Sequence, residues 1–105
     1  MELMSKMHFF FKLIPPRPTF AQDMDDRERG LMMEHIRYFQ QHFAEKRVLV
    51  FGPVMSAEGS YGMAVLQVAD EAEARAFAEH DPTIVAGLNT FAIYPMRVGA
   101  AQGMD

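Results

Sequence analysis

Residues 48–68 read VLVFGPVMSAEGSYGMAVLQV, two apolar runs joined by a short stretch of turn-forming residues. Val48–Val54 and Tyr61–Val68 carry the β-branched and aromatic types that strands favour. Ser56-Ala57-Glu58-Gly59-Ser60 separates them, so the stretch predicts a strand–turn–strand unit. What flanks this unit decides the fold.

Upstream, Asp25 or Asp26 opens a helix predicted to reach about Lys46. Its acidic first turn suits the positive end of the helix dipole, and Lys46-Arg47 suits the negative end. At about 100° per residue, Met32, Ile36, Phe39 and Phe43 form one apolar stripe, widened by Leu31 and Tyr38. Glu34, Arg37, Gln41 and Glu45 fall on the opposite, wet side. Downstream, Asp70 with Glu73 makes a capping-box pattern and starts a second helix. Its small apolar face is Ala74, Phe77 and Ala78, and Pro82 stops it.

His8–Ile14 (HFFFKLI) and Phe91–Val98 (FAIYPMRV) supply the first and last strands. The order is β-α-β-β-α-β. It predicts one α+β, ferredoxin-like domain over residues 8–98, a four-stranded antiparallel sheet with two helices on one face. Strands one and three are then central, and two and four lie at the edges. Pro53 and Pro95 fall in the two expected edge strands, where a missing backbone donor is tolerated. Residues 1–7 and 99–105 show no burial pattern and are expected to be loose ends.

Composition narrows the function classes. The chain has 105 residues, 50% hydrophobic and 23% charged, as in an ordinary globular domain. Its net charge of −4 and scattered Lys and Arg argue against a nucleic-acid surface. No apolar run approaches the ~20 residues of a membrane span. With no cysteine there is no disulfide and no thiolate chemistry, which fits a cytoplasmic protein.

The central strands are apolar on both faces. Phe9, Phe11 and Leu13 alternate with Phe10 and Ile14, and Ala64, Leu66 and Val68 with Met63 and Val65. Two helices cover only one face, so a homodimer that buries the other is expected.

His35 lies within the apolar arc of the long helix. It reads either as a core histidine bonded to a carbonyl or as a general base or acid that titrates near neutrality. His42, two turns further on, is too far to share an ion with it, and nothing resembles HExxH, so no metal is expected. His42 and His80 read as boundary residues.

Asp81 ends the second helix, at the wrong end of its dipole for a carboxylate. It reads as an N-cap ahead of Pro82, or as a carboxylate that orients the His35 ring; the two roles are compatible. Gly52-Pro53 and Gly62 interrupt apolar strands, either for close packing or to leave room for a small ligand. Phe10, Phe39, Gly52, Pro53 and Gly62 are the candidate ligand-binding positions, although Phe10 also suits core or interface.

Three segments together resemble the YCII-related family: Glu34-His35-Ile36-Arg37-Tyr38-Phe39, Val50-Phe51-Gly52-Pro53, and Glu79-His80-Asp81-Pro82 with Ala86-Gly87-Leu88. The resemblance spans His8 to Val98. It implies the dimeric α+β-barrel form of the fold, with His35 and Asp81 as active-site residues. It also implies lyase-like chemistry, such as loss of hydrogen chloride from a chlorinated hydroxyquinol. The segment Pro15–Asp25 is an insertion relative to shorter members and is expected to reshape the pocket entrance. The leading expectation is a small-molecule lyase or isomerase, without cofactor or metal, in which His35 carries the proton. The alternative is a non-catalytic domain whose apolar pocket holds a metabolite or a partner segment.

Overall fold

The computed structural model describes residues 6–103. Its strands are β1 (Met7–Ile14), β2 (Val48–Val54), β3 (Tyr61–Val68) and β4 (Thr90–Met96). Its helices are α1 (Phe20–Asp23), α2 (Asp26–Ala44), α3 (Glu71–Glu79) and α4 (Pro82–Val85). The sheet order is β2-β3-β1-β4 and every neighbour is antiparallel. The strands with Pro53 and Pro95 therefore occupy the two edges, and the fold is α+β and ferredoxin-like.

Each long helix begins with side-chain capping. Asp25 accepts from the Glu28 N–H at 2.8 Å while the Glu28 carboxylate accepts from the Asp25 N–H at 3.0 Å, a complete capping box. Asp70 and Glu73 cap α3, with the Glu73 carboxylate reaching the Ala69 N–H. α2 stops at Ala44, short of the expected Lys46, because Lys46 takes a left-handed φ of 66° that ends the helix.

Both helices pack on the face of the sheet built from Phe9, Phe11, Leu13, Ala64, Leu66 and Val68. Phe39 from α2 and Phe77 from α3 meet Phe11 there, with ring centroids 5.4 and 6.4 Å away. Ala74 and Ala78, fully buried, let α3 approach closely.

The expected stripe on α2 is displaced. Met32, His35, Tyr38 and Phe39 face the sheet, whereas Ile36 is 37% and Phe43 51% exposed. Phe43 lies at the edge strand β2, its ring 6.3 Å from Phe51, where no further layer covers it. Ile36 stays open because it borders a cavity.

Three strand boundaries also differ from the sequence expectation. β1 starts at Met7 and β4 runs from Thr90 to Met96, ending before Arg97 and Val98. The segment 15–25 contains the one-turn helix α1, which the sequence pattern does not announce. The expectation of loose ends falls, for residues 1–5 and 104–105, outside the described residues.

Candidate functional site

His35 and Asp81 meet. α2 carries His35 on its sheet-facing side, and the α3–α4 junction brings Asp81 against it from the neighbouring helix. His35 Nδ1 lies 2.6 Å from Asp81 Oδ2. The carboxylate is fully buried and the histidine side chain is 11% exposed. An ionised carboxylate only accepts, so Nδ1–H donates to it, and in the neutral form of the ring Nε2 carries the lone pair. Among the described residues Nε2 has no hydrogen-bond partner, and His35 lines the cavity.

The second carboxylate oxygen is committed elsewhere. Asp81 Oδ1 accepts from the Thr83 N–H and from the Thr83 hydroxyl, each at 2.7 Å, which caps the α4 turn with Pro82 at its first position. Asp81 thus caps the α4 turn with one oxygen and contacts the His35 ring with the other. Burial alone would raise its pKa; the hydrogen bond and charge of His35, with the two bonds from Thr83, outweigh it and hold the carboxyl below its usual value.

The ring is also clamped sideways. Tyr38 donates to the Phe77 carbonyl at 2.7 Å and its ring stacks on Phe77 at 5.1 Å, tying α2 to α3. Phe39 sits 4.5 Å from the His35 ring. Desolvation pushes the Tyr38 hydroxyl up to about 12. His42, one turn beyond, is not in the cavity; it packs edge-on to Tyr38 and Phe77, and burial lowers its pKa. Among the described residues no group of three or more His, Asp or Glu is placed to hold a metal ion.

The cavity has a volume of about 400 Å³ and its walls are mostly apolar. Phe39, Gly52, Pro53 and Gly62, all singled out from sequence, border it beside His35. Phe10 does not. Side chains alternate along β1, so Phe11 and Leu13 face the cavity while Phe10 points to the opposite face of the sheet, opposite Val65 and Tyr94. The two glycines also differ. A Cβ at Gly62 would lie 3.1 Å from Leu13 Cβ, so close packing explains that residue, whereas a Cβ at Gly52 would meet nothing within 4 Å.

Residues 15–24 close one side. Pro15, Phe20, Ala21 and Met24 all contribute to the wall. Arg17 fastens it. Its guanidinium donates to both Glu28 carboxylate oxygens at 2.9 and 2.8 Å and to Asp23 Oδ1 at 2.8 Å. That fork drives the Glu28 carboxyl down to about 2.

Because the folded value lies below the ordinary 4.5, this latch contributes fully above that value and is lost as the pH falls towards 2. Wild-type protein is expected to lose stability in urea over this range. Glu28→Gln, which cannot titrate, should show a flatter profile, and parallel profiles would exclude the latch.

Two polar residues of the site, Thr83 and Asn89, carry no motif. Thr83 is fully buried and organises the junction: its N–H and hydroxyl donate to Asp81, and its carbonyl accepts the N–H groups of Leu88 and Asn89 at 2.9 and 3.2 Å. Asn89 borders the cavity. An Asp-Pro pair with Thr next announces the turn, but nothing in the sequence announces what the turn holds.

The fold and the site thus define a ferredoxin-like α+β domain with a buried His–Asp pair at the wall of an apolar cavity. The chain belongs to the YCII-related domain family, whose model matches residues 8–97. No curated protein matches the sequence. Among solved structures it is similar to the 5-chloro-2-hydroxyhydroquinone dehydrochlorinase of Burkholderia phenoliruptrix AC1100, in complex with 2,5-dihydroxybenzoquinone. The TM-score is 0.65 at 20% identity, covering 87% of this chain and 95% of that one, a likeness of fold. No described helix is long and apolar enough to cross a membrane.

Proposed function

We propose that this protein is a small-molecule enzyme of lyase or isomerase type in which His35 carries a proton and Asp81 orients it. The observation that carries this reading is the 2.6 Å contact from His35 Nδ1 to a fully buried carboxylate, with the ring at the wall of an apolar cavity. Asp81 holds the ring in one tautomer and stabilises the imidazolium once it forms. Nε2 then takes a proton from a substrate C–H bond, or from the O–H of a hydroquinone as its carbonyl forms. The electron pair left behind forms a new double bond. A leaving group departs with its own bonding pair, or the imidazolium returns the proton at another carbon. Apolar walls exclude water and strengthen the electrostatics of this exchange.

Membership of the YCII-related family and the fold shared with a dehydrochlorinase support the lyase form. Release of chloride from 5-chloro-2-hydroxyhydroquinone, and uptake of solvent deuterium into carbon acids bound in the cavity, test it. The reading requires one of these reactions and its loss in His35→Gln. Bound ligands that neither react nor exchange would leave a binding domain.

We also propose that a second copy covers the open face of the sheet. Phe10, Met63, Val65 and Tyr94 gather there, and Val50 and Tyr94 are about half exposed in the single chain. Light scattering should give about twice the 11.9 kDa chain mass. Phe10→Lys, which would bury an unpaired charge in the interface, should give one chain mass. A wild-type monomer at micromolar concentration sinks the proposal.

A further inference from the structure

Asn89 has a polar end that no described residue satisfies. Its side chain is buried, at 3% exposure, and it borders the same cavity as His35. Its Nδ2 donates to Met32 Sδ at 3.5 Å, and a thioether is a weak acceptor. Its Oδ1 is buried without a hydrogen-bond partner. Turning the amide over would set Oδ1 against the thioether, which has no hydrogen to donate, and leave both ends without a partner. A buried amide oxygen left bare is costly, and in a protein with few such groups it calls for a partner from outside the chain.

The backbone cannot move away to relieve it, because the Asn89 N–H is held by the Thr83 carbonyl, on the turn that also fixes Asp81. Met32 stands three residues before His35 on α2, so the two are roughly 4.5 Å apart along the helix axis. Met32, the Asn89 amide that meets it and the imidazole all border the one cavity. Most other side chains of the lining, Phe11, Ile36 and Phe39 among them, are apolar; Gln40, Ser60 and Tyr61 also border it, but of the cavity's polar side chains Asn89 is the one with a buried oxygen lacking a described partner.

We propose that Asn89 is the second polar anchor of the cavity. It takes a hydroxyl or amine at one end of a compact, largely apolar ligand whose other polar group meets His35 Nε2. The proposal rests on the cavity being a small-molecule site, and it adds the ligand class: a body the size of a single ring, with hydrogen-bonding groups at two ends. Apolar pockets with a few placed polar groups select ligands in this way, and a site built for a hydroxyl disfavours the analogue that leaves its partner bare.

Hydroquinone and 4-methylphenol are suitable probes, because a methyl group replaces one hydroxyl on the same ring. NMR titration of the wild type, followed at His35 and Phe39, should show hydroquinone binding about fivefold to tenfold tighter. Asn89→Leu, similar in size, should reduce that ratio to about one and leave 4-methylphenol unaffected. In the wild type the Asn89 side-chain amide signals should move with hydroquinone and stay fixed with 4-methylphenol, a readout that needs no variant to fold. Equal wild-type affinities, a ratio that Asn89→Leu preserves, amide signals indifferent to both probes, or no binding of either ring would each overturn the proposal. Failure of the proton-transfer reading is separate: it appears as a ligand that binds with the full ratio and never reacts.

Discussion

An Asp81→Ala variant is expected to lose about 3–5 kcal/mol of folding stability, a large part of what a domain of this size possesses. The size of the loss follows from what the carboxylate holds. The Thr83 N–H, the Thr83 hydroxyl and the His35 Nδ1–H all donate to it, and the carboxylate is fully buried. Alanine leaves all three donors without a partner where water has little access, at about 1–3 kcal/mol for each such group.

Asp81→Asn should cost far less, on the order of 1 kcal/mol, because its carbonyl oxygen can still cap Thr83. It would, however, offer an amide NH₂ to His35 and reverse the tautomer, placing the proton on Nε2. Urea denaturation of the two variants separates the roles. An alanine variant within about 1 kcal/mol of wild type would mean that the junction does not depend on this carboxylate.

The second large effect concerns rate rather than stability. His35→Gln should slow the proposed proton transfer by about 10²–10⁴-fold, the usual contribution of a positioned general base. Glutamine can keep a polar contact with Asp81, so folding should change little. Chloride release or deuterium uptake reads the loss, and urea denaturation checks the fold. A variant as fast as wild type would remove His35 from the chemistry, whatever its contact with Asp81.

The order of elements and the sheet topology were legible because each rested on local chemistry. Capping aspartates, one turn-rich break and two prolines assigned helices, strands and edges without reference to distant residues. The pairing of His35 with Asp81 was legible for a different reason: antiparallel helices of unequal length bring the end of the shorter one to the middle of the longer. Phe10 was misplaced because alternation says which residues share a face but not which face borders the cavity. α1 escaped notice because a single turn has no periodicity; Phe20, 5% exposed, and the Arg17 fork hold that segment. Thr83 and Asn89 were invisible because hydrogen-bond satisfaction is a property of three-dimensional neighbours, not of residue spacing.

The strap of residues 15–24 divides the cavity into parts with different freedom to vary. The imidazole, its carboxylate and Asn89 stand on α2 and the α3–α4–β4 junction, interlocked with the core through Tyr38 and Thr83. Phe20, Ala21 and Met24 border the same space from a segment outside the sheet, tied back through Arg17. Substitutions there can resize or reopen the chamber at little expense to the His35–Asp81 contact, whereas changes on the inner side disturb both together. Under the proposed function, a change in the compound accepted is therefore expected to follow from substitutions in the strap, with His35 and Asp81 left in place.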